Sequence, residues 1–131
     1  RVDALLQSRG TGPDAIGVFC RYTEANGWYE FNVSDDGSYS VLFGQWLEPG
    51  IATYAPIASD RSIYLQPGGT QNEVGLGCEG DALMLYLNGK LFRKLDVSRF
   101  GLSVGRLGLA AASFENVPVI AAFDRVRVSP P

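Results

Sequence analysis

Trp28-Tyr29-Glu30-Phe31-Asn32-Val33-Ser34 decides the fold. Tyr29, Phe31 and Val33 fall on one side, and Trp28, Glu30, Asn32 and Ser34 on the other. That two-residue period is the signature of a strand with one face toward a core. Upstream, Glu24-Ala25-Asn26-Gly27 reads as a hairpin connection, with Asn-Gly as its signal, back to a strand at Ile16–Tyr22. Downstream, Asp35-Asp36-Gly37 turns the chain into Tyr39–Phe43, with Tyr39, Val41 and Phe43 as the core face.

The same grammar runs outward in both directions. Val2–Ser8 reads as a strand closed by the turn Gly10-Thr11-Gly12-Pro13. The stretch 44–69 is less regular, with Trp46, Tyr54, Pro49 and Pro56, and is expected to form long loops with short strands. Gln71–Glu79 and Ala82–Asn88 form a hairpin around Gly80-Asp81, with Leu83, Leu85 and Leu87 inward and Met84 and Tyr86 outward. Asn88-Gly89 is a type I′ turn signal leading into Lys90–Leu95, where the pattern blurs because Phe92 shares a face with Lys90 and Lys94. Asp96–Ser103 is a connection with room for one short turn, and Arg106–Ser113 and Val119–Ser129 are the last strands. If Val126 and Val128 point inward, Asp124 does too, as a hydrogen-bonded structural tie. No segment keeps a helical apolar period over three turns. Many short strands with regular turn signals predict an all-β sandwich or barrel, read as one domain over 1–131.

Composition agrees and excludes several classes. The 131 residues can bury a real core, and 16 Gly and 7 Pro suit tight turns. A net charge of -3 without a Lys/Arg cluster speaks against nucleic acid and anionic membranes as partners. No apolar run approaches a membrane span, so direct membrane insertion is not expected. No signal-peptide pattern is read in these residues, and a start at Arg1 rather than Met leads us to expect a processed chain or a segment of something larger. The chain has no His, which removes the commonest general base and metal ligand.

The two cysteines fall on the apolar sides of their strands. Cys20 is in step with Ile16 and Val18, and Cys78 with Val74 and Leu76. Two inward thiols in one small core invite a disulfide, and two buried free thiols are the alternative. A bridge would place the chain in an oxidising compartment.

Gly17–Tyr22, Trp28–Phe31, Asp36–Tyr39, Leu85–Lys90, Gly105–Leu109 and Phe123–Val128, in this order, resemble the concanavalin A-like lectin/glucanase superfamily. Among its members, the resemblance is nearest to small laminin-G-like or keto-disaccharide-hydrolase-like domains of bacterial extracytoplasmic proteins. It spans about Val2 to Val128. The resemblance implies an antiparallel two-sheet jelly-roll sandwich, often with one concave sheet, and sugar binding or sugar chemistry. Some members carry Cys at the positions of Cys20 and Cys78, which favours the bridge. Relatives usually have residues ahead of the segment matching Val2–Ser8, so an opening strand is expected to be missing. The last strand is then expected to pair with Val2–Ser8 or be covered by a second chain.

β-Glucan-cleaving relatives carry paired carboxylates on one strand, and two are needed across the bond. Trp28–Ser34 offers only Glu30, so no catalytic residue is assigned and enzymatic activity is left open. Trp28, Glu30 and Asn32, with Arg21 on the neighbouring strand, form the candidate sugar-binding face, and Trp28 is expected to be partly exposed. The alternative is a solvated face with Arg21 and Glu30 as a cross-strand pair. Trp46 and Tyr54 are further candidate ligand contacts in loop-like sequence. Calcium would suit the acidic turns Asp35-Asp36-Gly37 and Glu79-Gly80-Asp81, but neither has the calcium-loop pattern and no cofactor is assigned. The resulting expectation is a secreted or extracytoplasmic, non-catalytic recognition module whose partner is carbohydrate or another protein. A sugar-acting hydrolase and a structural or sensor domain of a membrane-attached protein are the alternatives.

Overall fold

The computed structural model describes residues 1–8, 14–34, 36–66, 71–113 and 121–130, with backbone alone at 7–8, 14–15, 110–113 and 121–126. The strands are β1 (Val2–Ser8), β2 (Asp14–Thr23), β3 (Gly27–Val33), β4 (Ser38–Glu48) and β5 (Ile51–Arg61). They continue as β6 (Asn72–Glu79), β7 (Ala82–Leu87), β8 (Lys90–Asp96), β9 (Arg106–Ser113) and β10 (Ala121–Val128). A short 3-10 turn at Ser98–Phe100 lies in the Asp96–Ser103 connection. Two antiparallel five-stranded sheets result: sheet I in the order β10-β1-β6-β7-β8, and sheet II in the order β5-β4-β3-β2-β9.

The sheets pack face to face through the side chains that the alternation assigns inward. Sheet I contributes Val2, Ala4, Leu6, Val74, Leu76, Leu83, Leu85 and Leu87. Sheet II answers with Ile16, Val18, Tyr29, Phe31, Val33, Tyr39 and Val41. β1 is an interior strand, paired with β6 on one side and with β10 on the other, in the register Val2↔Val128. The last strand therefore pairs with Val2–Ser8. The Gly10–Pro13 turn, Asp35 and Val119 lie outside the described residues, as does the side chain of Asp124.

The segment 44–69 departs from expectation. β4 runs to Glu48 and β5 starts at Ile51, so long paired strands replace the expected loops. Two residues hide this in the sequence. Gly44 looks like a breaker, yet a Cβ there would sit 2.4 Å from the Trp28 indole, so the strand needs glycine to seat that ring. Pro56 is tolerated because β5 is an edge strand and Ile57 is an extra residue between the pairs Leu42↔Pro56 and Val41↔Ala58. In β8 the blurred pattern is also a bulge. Tyr86 pairs with Leu91 and Leu85 with Arg93, leaving Phe92 as the inserted residue. Phe92 turns onto the core, and Arg93 donates from its guanidinium to the Tyr39 hydroxyl at 2.8 Å.

The expected turn at Asn88-Gly89 forms, with φ of 49° and 82°. Asn88 also clamps its surroundings: its Oδ1 accepts from the Glu73 backbone N–H at 2.8 Å, and its Nδ2 donates to the Tyr64 carbonyl at 2.7 Å.

Cys20 and Cys78 form a disulfide, with Cα atoms 6.6 Å apart. It joins β2 of sheet II to β6 of sheet I across 58 residues of chain. Closing a loop of that length removes denatured-state entropy equivalent to about 4 kcal/mol. Replacing both cysteines by alanine is expected to lower unfolding stability by about that amount in urea titrations. An unchanged midpoint would show that the bridge does not restrain the unfolded chain.

Candidate functional site

β3 is the only strand of sheet II buried along its whole described length, on both faces. One face feeds the sandwich core. The other carries Trp28, Glu30 and Asn32, which are 5%, 7% and 3% exposed. A carboxylate so enclosed must be hydrogen-bonded. The Trp28 indole N–H donates to Glu30 Oε1 at 3.1 Å, and Asn32 Nδ2 donates to Glu30 Oε2 at 2.6 Å. Among the described residues, Asn32 Oδ1 has no hydrogen-bond partner. It lies where a Cβ on Gly17 would stand, 2.6 Å away, so the neighbouring strand leaves it room by carrying no side chain.

Pairing fixes what surrounds this row. Phe19 and Leu42 flank Glu30 on β2 and β4, and Gly17 and Ser40 flank Asn32. Beside Trp28, Gly44 and then Tyr54 follow on β4 and β5. Rings converge at this end. Trp46 stands 5.3 Å from Trp28 by centroid, Tyr22 5.4 Å, and Tyr54 6.0 Å edge-on. The Trp46 indole N–H donates to the Tyr22 hydroxyl at 2.8 Å. Trp28 is covered, while Trp46 and Tyr54 remain 39% and 50% exposed.

Each end of the strip opens into a cavity. At the aromatic end, about 360 Å³ is lined by Tyr22, Glu24, Trp46, Glu48, Pro49 and Gly50. At the other end, about 430 Å³ is lined mainly by hydroxyls, from Ser34, Ser38, Ser40 and Ser59, with Asp60 and Arg61 beside them. From Ser40 to Trp46 along β4 is roughly 20 Å. A larger cavity, about 490 Å³, lies by Asp81, Lys94 and Asp96 on sheet I. It offers mixed charges and no aromatic surface, so size is a poorer guide here than lining.

Two expectations about this site are corrected. Arg21 is not beside Glu30. Cys20 pairs with Tyr29 and Thr23 with Gly27, so two β2 residues oppose Trp28 in a bulge. Arg21 takes φ 54° and donates to the carbonyls of Gly80 and of Leu102, the latter at 2.7 Å. Its place on the outer face passes to Tyr22. A Glu30–Arg21 cross-strand pair is likewise absent. Trp28 faces outward as expected but is buried, because Trp46, Tyr22 and Tyr54 stack around it. Trp46 and Tyr54 sit on strands rather than loops and do join the face. Tyr22 was not foreseen, since nothing local in Cys20-Arg21-Tyr22 announces a bulge. Of the acidic turns, Asp36 already accepts from the Ser38 hydroxyl and backbone N–H, bonds that hold its carboxyl below the ordinary 3.8.

With Phe19 and Leu42 as its flanking neighbours, Glu30 has no second carboxyl at the adjacent positions across the sheet. The arrangement can bind, through exposed rings and acceptor oxygens. Comparison with protein-family models, curated proteins and solved structures gave no match.

Two outcomes follow from the burial. Trp28→Ala is expected to lose about 3–5 kcal/mol of stability, and Trp46→Ala about 1 kcal/mol or less, measured by denaturant unfolding. Equal losses would contradict the division into a buried seat and an exposed shelf. Burial, with the nearby Glu30 charge, raises the Tyr54 phenol above the ordinary 10.0. A raised folded-state value costs stability only as pH climbs past the unfolded value, so this contribution is intact at neutral pH and is lost above about 10. Ultraviolet titration of Glu30→Gln should show Tyr54 ionising at lower pH than in the parent chain.

Proposed function

We propose that the chain is a non-catalytic carbohydrate-recognition module that binds on the outer face of sheet II. The observation that carries the reading is the pairing of half-exposed Trp46 and Tyr54 with the buried Glu30–Asn32 floor. Aromatic faces stack on the apolar faces of pyranose rings, and carboxylate and amide oxygens take up sugar hydroxyls. The serine hydroxyls at the far end extend the polar surface. A hydrolase finds less support, since Glu30 has no adjacent carboxyl partner. The resemblance to concanavalin A-like domains points the same way. A disulfide between the sheets favours an oxidising, extracytoplasmic setting.

A glycan array probed with the purified chain tests this, followed by titration of tryptophan fluorescence with each hit. Binding is expected, with Trp46→Ala and Tyr54→Ala each weakening it roughly tenfold, as loss of about 1.4 kcal/mol of stacking implies. An array without hits, or hits unaffected by both substitutions, would refute the site.

A further inference from the structure

The aromatic end of this face has spent its strongest donors on itself. The Trp28 N–H is committed to Glu30, and the Trp46 N–H to Tyr22. Farther along β3, beside Gly17 and Ser40, Asn32 turns its nitrogen to Glu30 and leaves its oxygen without a partner among the described residues, in a 97% buried position, the complement of its 3% exposure. Apart from the phenol hydroxyls of Tyr22 and Tyr54, the side-chain polar groups left to a ligand here are acceptors. Three are carboxylates: Glu30 in the floor, and Glu24 and Glu48 in the wall of the cavity beside Trp46 and Tyr22. Among the described residues none of the three is in an ion pair, and no Lys or Arg lines that cavity.

Uncompensated carboxylates beside exposed aromatic rings favour a cation, through charge attraction and through the ring faces. Neutral donors satisfy the oxygens but leave the charge unanswered, and acetamido or anionic groups bring further acceptors. We infer that the ligand is a saccharide bearing free ammonium groups, stacked on Trp46 and Tyr54 with its amines toward Glu24, Glu48 and the Glu30–Asn32 floor. This rests on the carbohydrate reading and narrows it to a chemical class.

The test is calorimetric titration of the full chain with linear β-1,4 tetramers of glucosamine, N-acetylglucosamine and glucose at neutral pH. The glucosamine tetramer is expected to bind roughly tenfold or more tightly than the other two, an advantage that shrinks with added salt. Glu24→Gln with Glu48→Gln should lower glucosamine-tetramer affinity roughly tenfold with an unchanged unfolding midpoint. Equal or tighter binding of the glucose or acetylated tetramer overturns the charge inference and leaves carbohydrate recognition standing. A tetralysine peptide that matches the glucosamine tetramer overturns the assignment to a saccharide. Failure of all three tetramers, with no hit on the glycan array, overturns both.

Discussion

The structure depends on a central strand that is buried on both faces. β3 sends Tyr29, Phe31 and Val33 into the sandwich and Trp28, Glu30 and Asn32 into a second, outer cluster. An apolar inner face is ordinary for a sandwich. A carboxylate on the outer face is not, and it is tolerable only because an indole and an amide donate to it. Those two bonds fix the orientation of Trp28. Trp28 in turn demands Gly44 beneath it and offers its flanks to Tyr22, Trp46 and Tyr54. The shelf of exposed rings is thus positioned by a buried hydrogen bond.

One irregularity links this face to the opposite sheet. At the end of β2, Cys20 points inward to its disulfide, Arg21 swings through φ 54° to the Gly80 and Leu102 carbonyls, and Tyr22 returns to the outer face. A non-glycine residue in that region is uncommon and carries strain of order 1 kcal/mol or more. The guanidinium bonds across to the β6–β7 turn and the segment after the 3-10 turn offset it. Gly105 is part of the same device, since a Cβ there would lie 2.2 Å from the Arg21 carbonyl carbon. The bulge therefore anchors the sheets and supplies a wall of the candidate site at once.

Wherever the chain alternates without interruption, sequence and structure agree. The inward sets of β3, β6 and β7 could be read from spacing, and so could the positive-φ turn at Asn88-Gly89. The shared inward register of Cys20 and Cys78 was legible too. What escaped was every place where parity breaks. The bulges at Arg21, Ile57 and Phe92 each shift one strand by a residue against its partner, and of the three only Phe92 is marked locally, by the blurred pattern it shares with Lys90 and Lys94. Gly44 and Pro56 read as breakers because their reasons, an indole from β3 and an edge position, lie in tertiary structure. The site depends on both: by spacing alone Arg21 falls on the face and Tyr22 does not, while Trp46 and Tyr54 fall in irregular, loop-like sequence. The outward direction of Trp28, Glu30 and Asn32 followed from period alone, whereas their burial depends on rings distant in sequence.

Residue-resolved NMR can establish whether the outer face of sheet II is the binding surface. A titration of the nitrogen-labelled chain with glucosamine tetramer would follow the Trp46 indole N–H and the Asn32 side-chain amide. Saturable shifts are expected at both, together with backbone amides along β3, β4 and β5. Shifts confined to sheet I, around Asp81, Lys94 and Asp96, would contradict it.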